Sequence, residues 1–297
     1  MKSGVLIVAG ATASGKTELA LDLARRYDAE IVGADSRQIY AGMPIGTAAP
    51  SADERASVPH HLVGFLDPRE RYSAARFAHD ALEAIARIQA RGKRALVVGG
   101  TGFYLRALIG GVSLAPEHDE ALRERLAREA RLHPSPFLHE WLALLDPRRA
   151  AALDPNDAYR VVRALEVALA PPGARREEGG ASLARAEIPY ALTFLDVPIE
   201  RVDARIAART DAMLAQGLLD EAERIGGNAV AATAVGYPQA LAYLRGWCTF
   251  EELRASLARA TRRYARRQRA WFRGEPDTLW VDRAGVERAA REKLGWT

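Results

Sequence analysis

Eight consecutive residues of this chain have the types and spacing to hold an anion. Gly10-Ala11-Thr12-Ala13-Ser14-Gly15-Lys16-Thr17 follows the pattern G-x-x-x-x-G-K-[ST]. Its glycines let the backbone curl so that successive N–H groups face one phosphate at the N-terminal end of a helix. Lys16 adds a point charge, and Thr17 offers a hydroxyl to a Mg²⁺ ion that also touches phosphate oxygens. The alternative is an ordinary turn between strand and helix. The loop leaves open which phosphate compound binds, and taken alone it suggests a nucleotide kinase or an ATPase.

A second group follows at Asp35-Ser36-Arg37-Gln38-Ile39-Tyr40. Ligands of open parallel sheets bind beyond the carboxyl ends of the strands, so a carboxylate ending the second strand shares a rim with the phosphate loop. There Asp35 can serve as a metal ligand, a general base or a cap without chemistry. Gly99-Gly100-Thr101-Gly102 closes the third strand on the same rim. Thr101 can hydrogen-bond a substrate, while the glycines serve tight packing.

These groups need a scaffold, and the hydrophobic pattern supplies one. Val5–Ala9, Ile31–Ala34 and Ala95–Val98 are short β-branched runs that stop at glycine or aspartate. Between them lie helical patterns from about Gly15 to Arg26 and from Ser73 to Arg91, the latter followed by Gly92. This alternation predicts an α/β fold, a parallel sheet flanked by helices of the P-loop NTPase-like kind. From 116 to 187 the chain turns helical and charged, with Pro171-Pro172-Gly173 opening a polar loop. Strand character returns at Ala191–Val197, a helix at Ile199–Gln216 and a late strand at Leu279–Val281. The expected organisation is therefore a core over 1–115, a helical insertion over 116–187, and a return to the core over 188–297.

Composition narrows the partners. At 297 residues, 48% hydrophobic and 27% charged, the chain reads as an ordinary globular protein. No apolar run is long enough to cross a bilayer, and the N-terminal run flows into the Gly-rich turn, so it reads as a core strand and not a secretory signal. Cys248 is the only cysteine, which excludes an intramolecular disulfide and a Cys-rich zinc module and fits a reducing, cytosolic setting. A monomer is expected. Net charge is only +4, but arginines crowd positions 259, 262, 263, 266, 267, 269 and 273 with no acid between Arg254 and Gly274. Arg259, Arg262, Arg263, Arg266, Arg267 and Arg273 fall near one stripe of a helix, with Tyr264, Gln268 and Trp271 on a neighbouring one. Either a solvated face or a surface for RNA phosphates accounts for that stripe.

GATASGKT, ADSRQIY, GMPIGTAAP, VPHHLVGFLDPRERYSAARF and GGTGFYLRAL occur in this order, followed by DPNDAYRVVRALEV (154–167), RIAARTDAMLAQGLLDE (205–221), AVGYPQAL (234–241) and TRRYARRQRAWFR (261–273). Together they resemble the tRNA dimethylallyltransferase family over nearly the whole chain. The resemblance implies dimethylallyl diphosphate as donor, Mg²⁺ as cofactor, and as acceptor the N6 amine of adenosine-37 in the tRNA anticodon stem-loop. It implies catalytic roles for Asp35, Thr101, Lys16 and Arg209. It further implies tRNA contacts from Asp35, Ser36, Arg37, Gln38, Thr101, Arg123, Tyr159, Arg160, Val161, Val162 and Arg163. In the two C-terminal motifs the implied contacts are Gly236, Tyr237, Gln239, Arg262, Arg263, Arg266 and Arg267. The chain departs from the family's usual residues at Ala11, where proline is common, at Ala49, where lysine is common, and in the 171–182 loop. Rival readings are a small-molecule kinase, a prenyltransferase of free adenine nucleotides and a non-catalytic RNA-binding ATPase module. The first explains only the first hundred residues or so and leaves the insertion and the arginine helix without a purpose.

Overall fold

In the computed structural model, which describes residues 3–110, 120–170 and 181–297, every β-branched run noted above becomes a strand of one sheet. The elements in chain order are β1 (Val5–Ala9), α1 (Lys16–Arg26), β2 (Ala29–Gly33), α2 (Pro44–Thr47), α3 (Ala52–Ser57), β3 (His60–His61), α4 (Ala74–Ala90), β4 (Arg94–Gly99) and α5 (Gly102–Ile109). Next come α6 (Glu120–Leu132), α7 (Ser135–Leu145), α8 (Pro147–Ala151) and α9 (Ala158–Leu169). The chain ends with β5 (Tyr190–Leu195), α10 (Ile199–Ala215), α11 (Leu218–Ile225), a 3₁₀ turn at Val230–Thr233, α12 (Tyr237–Leu244), α13 (Phe250–Arg273), β6 (Leu279–Val281) and α14 (Arg283–Leu294).

The sheet runs β3-β2-β4-β1-β5-β6, and every neighbouring pair is parallel. All five residues of β1 are buried, as expected of a central strand covered on both faces. Leu6 and Val8 join Leu19 and Leu23 of α1 and Val286 and Ala290 of α14 in one apolar layer, while Ile7 between them faces the other way. Helix α4 starts at Ser73, whose hydroxyl accepts the Arg76 N–H at 3.1 Å, and buries Phe77, Ala81, Ile85 and Ile88 on one stripe. Consecutive strand ends thus carry Gly10, Ala34-Asp35 and Gly100-Thr101 to one edge. β3 is absent from the sequence reading because two residues carry no periodicity.

The chain divides into two compact units, 1–111 with 181–297, and 112–180. The expected insertion limit at 187 is corrected to 180. Leu183 is fully buried and its N–H donates to the Leu108 carbonyl at 2.7 Å, so this polar-looking stretch belongs to the sheet unit. In the second unit, Leu126, Leu138, Leu142, Val161 and Leu165 form a separate small core. The 171–180 segment, most of the altered loop, lies outside the described residues.

Candidate active site

The loop after β1 owes its shape to small residues. A Cβ at Gly10 would stand 2.9 Å from the Ser14 hydroxyl, and Ala13 and Gly15 both occupy the left-handed region, with φ of 61° and 91°. The loop borders a cavity of about 450 Å³ that is also lined by Lys16, Thr17, Asp35, Arg205 and Arg209. Lys16 donates to the Ala11 carbonyl at 2.7 Å. Part of its side chain faces the cavity, but the ammonium is surrounded by protein atoms. Burial lowers its pKa to about 8, opposed by the charge of Asp35 and reinforced by that of Arg209. Arg209 donates to the Thr12 hydroxyl at 3.2 Å, and Arg205 donates to the Ser14 carbonyl at 2.8 Å. The buried hydroxyl of Ser14 has no hydrogen-bond partner. Such an orphaned group beside three cations is suited to a bound anion.

Asp35 lines this cavity too, within electrostatic reach of Lys16 and Arg209. Its Oδ1 accepts the Arg37 N–H at 2.9 Å, closing a turn; no helix starts there to be capped. Thr101 supports the same turn, its hydroxyl accepting the Ser36 N–H at 2.9 Å. Asp35 also lines a second cavity, of about 420 Å³, which shares Thr12, Thr47, Arg209 and Gln268 with the first. The second cavity differs in character. Phe103, Ile206, Met213, Leu257 and Trp271 give it apolar walls, with Tyr264 and Arg267 beside Ser36, Arg37 and Thr101. Burial, then the nearby Asp35 charge, pushes the Tyr264 phenol far upward, so it stays a neutral hydrogen-bonding group. One carboxylate therefore sits where a cationic cavity opens into an aromatic one.

Residues 38–275 match the family model described as IPP transferase. The chain belongs to this family. A tRNA dimethylallyltransferase from Anaeromyxobacter sp. (strain K) is 49% identical over 297 residues, spanning 98% of this chain and 97% of that protein. The tRNA dimethylallyltransferase of Geobacter sulfurreducens is 42% identical, spanning 95% of this chain and 92% of that protein. Among solved structures, a tRNA isopentenylpyrophosphate transferase from Bacillus halodurans superposes with a TM-score of 0.69 at 33% identity, covering 99% of this chain and 96% of that one.

Measured against the IPP transferase motifs, the remaining expected site residues divide sharply. Arg209 reaches the loop after β1 through the Thr12 hydroxyl. Gln38 lines the first cavity, and its amide donates to the carbonyls of Thr47 and Ala48, at 3.2 and 2.9 Å. Tyr237 is fully buried and its hydroxyl donates to Glu221 at 2.7 Å, so its side chain is a core group and not an RNA contact. Gly236 and Gln239 form the α12 cap, the Gln239 side chain accepting the Gly236 N–H at 2.9 Å. Val161 is likewise corrected to a core residue, and Val162 packs against the same cluster. Arg123 and Arg163 both pair with the buried Glu166, and Arg160 pairs with Asp157. Tyr159 is exposed.

The arginine helix is also corrected. The acids that its sequence lacks after Arg254 come from α10 and the end of β5. Asp203 meets Arg266 at 2.8 Å and Arg262 at 3.9 Å, Asp211 meets Arg254 at 2.5 Å, and Asp196 meets Arg269 at 2.8 Å. Arg259 and Arg263 are exposed and have no ion pair among the described residues. Arg267 lies over the Tyr264 ring at 5.8 Å. Sequence reasoning missed Arg205, Phe103 and the role of Gln268; for Gln268 the signal was an amide in helical step with Tyr264 and Trp271. No group of three His, Cys, Asp or Glu side chains suited to a metal exists among the described residues. A magnesium ion would have to share the Thr17 hydroxyl with the oxygens of a phosphate ligand, and Thr17 does line the first cavity.

Proposed function

We propose that the chain transfers a dimethylallyl group from dimethylallyl diphosphate to the N6 amine of adenosine-37 in the tRNA anticodon stem-loop, releasing diphosphate. The observation that carries this reading is Asp35 at the junction of the cationic and aromatic cavities. The leaving diphosphate belongs in the first, against the loop N–H groups, Lys16 and Arg209. The acceptor adenine, unstacked from the RNA, belongs among Tyr264, Trp271 and Phe103 in the second. The amine lone pair is delocalised into the purine ring, which makes it a poor nucleophile. As the N6–carbon bond forms and the allylic carbon–oxygen bond breaks, the amine proton passes to Asp35 and the electron pair leaves on the diphosphate. Negative charge then builds beside Lys16, Arg209 and the loop, which line that cavity. Thr101 contributes by holding Ser36 and hence the Asp35 turn. Thr17 would hold Mg²⁺, which when bound helps neutralise the departing diphosphate.

For the rest of the tRNA, the side chains suited to phosphate contact are Arg37, Arg263 and Arg267, with the exposed Tyr159 and Arg160 on the insertion. A reducing setting fits the free Cys248. The test is incubation with labelled dimethylallyl diphosphate and either tRNA or AMP. Label in tRNA alone supports the reading. Label in AMP, or ATP hydrolysis with no transfer, replaces it with one of its rivals.

A further inference from the structure

One buried amide on the arginine helix spans the gap between the two halves of the site. Gln268 of α13 is 6% exposed. Its Oε1 accepts the Thr12 N–H of the phosphate loop at 2.8 Å, and its Nε2 donates to the Gly100 carbonyl at 2.9 Å. Both ends of the side chain are thus used, each with the atom suited to it. Thr12 is the residue whose hydroxyl receives Arg209. Gly100 precedes Thr101, whose hydroxyl fixes Ser36 beside Asp35. The fit also explains a glycine, because a Cβ at Gly100 would lie 2.2 Å from the Gln268 nitrogen. A side chain that merely filled space would not need an acceptor on one side and a donor on the other.

We infer that Gln268 is a positioning residue that sets the spacing between the diphosphate loop and the Asp35–Thr101 acceptor side, and that ties both to α13. The inference rests on the proposed prenyl transfer. Its consequence is local to the reacting groups: the phosphate loop and the carboxylate lose register when the bridge is removed, while α13 keeps its RNA-facing arginines. A misplacement of about an ångström costs on the order of a hundredfold in rate.

Two variants separate this role from simple packing. Gln268→Met keeps volume and removes both hydrogen bonds. Gln268→Glu keeps the acceptor for Thr12 but, when ionised, turns an oxygen toward the Gly100 carbonyl. When protonated, the introduced carboxyl has one donor and one acceptor and can restore both bonds. At pH 8 both variants should show single-turnover transfer reduced about tenfold to a hundredfold, with tRNA affinity within about twofold of the parent. Between pH 8 and pH 6 the ratio of Gln268→Glu to parent rate should rise several-fold, whereas the Gln268→Met ratio stays flat. Pyrophosphate affinity, measured by calorimetry without tRNA, should weaken in Gln268→Met and, at pH 8, in Gln268→Glu. Parent-like rates in both variants, or equal losses with flat pH ratios that track lowered melting temperature, would overturn the inference. If the parent protein transfers no label to tRNA, the functional reading fails. The pyrophosphate measurements then still decide whether Gln268 sets the loop, and unchanged affinity in both variants would reject it.

Discussion

The phosphate loop and the arginine helix are both cationic, and they hold their charge in opposite ways. At the loop, Lys16, Arg205 and Arg209 converge on a cavity also lined by Glu18, Asp35 and Glu54, of which Asp35 is in electrostatic contact with Lys16 and Arg209. Burial works against the charge of both these groups, so an arriving anion relieves a cost already built into the site. Along α13 the charges are exposed or half-exposed, and several are already answered by Asp203, Asp211 and Asp196. Exposed ion pairs of this kind stabilise weakly, but they compete with phosphate for the same guanidinium groups. The difference teaches that a count of basic residues is not a count of free charge. Helix α10 makes the point in one element, since Arg205 and Arg209 serve the loop while Asp203 and Asp211 face α13.

The largest expected effect lies at the point where the two regions meet. Asp35→Asn keeps the shape and the acceptor for the Arg37 N–H but removes the basicity. Single-turnover transfer should fall by about two to four orders of magnitude, with donor and tRNA affinities changed far less. A proportionate loss of Mg²⁺ or donor affinity would make Asp35 a metal-site residue. A normal rate with lowered stability would leave it only the turn.

A smaller effect should appear with pH on the loop side alone. The Lys16 ammonium of the unliganded protein loses its proton near pH 8, because burial lowers its pKa from 10.5. Its charge is therefore present below that pH and lost above it, so kcat/KM for the donor should fall roughly tenfold per unit at pH values above about 8. Bound diphosphate opposes the loss, and kcat should hold to higher pH. The pH profile of donor kcat/KM checks this; a flat profile through pH 9.5 would remove Lys16 from the account.

The smallest effect concerns α13 and divides its arginines into two classes. Replacing Arg263 and Arg267 with Gln should flatten the salt dependence of tRNA binding, by about 0.7–0.9 in log–log slope for each phosphate no longer neutralised. Replacing Arg262 and Arg266, which are held by Asp203, should flatten it less. Asp203→Asn, by freeing both, should steepen it. Equal slopes in all three proteins would show that the stripe is a solvated face.

What was legible in the sequence follows the same division. The loop could be read because its groups are contiguous and largely backbone, and Asp35 because a carboxylate at a parallel strand end has few other places to point. Motif resemblance located Arg209, which no local pattern distinguishes from a solvated helix arginine. The same resemblance misplaced Val161 and Tyr237, since a motif carries positions but not the direction in which each side chain points. The acids answering α13 lie some forty residues or more before the arginines they meet, and no local pattern joins them. The stripe that placed Gln268 beside Tyr264 and Trp271 did not show its bridging role, because both its partners are backbone atoms, at Thr12 and Gly100.

In the proposed reaction one cavity holds a diphosphate that leaves while the other receives the RNA base. Steady-state inhibition by inorganic pyrophosphate addresses it most directly, with donor varied at fixed tRNA and then tRNA varied at fixed donor. Pyrophosphate should raise the KM for dimethylallyl diphosphate without changing kcat, and saturating donor should abolish its effect at every tRNA concentration. Inhibition relieved by tRNA and untouched by donor would place the anion in the acceptor's cavity and contradict the account.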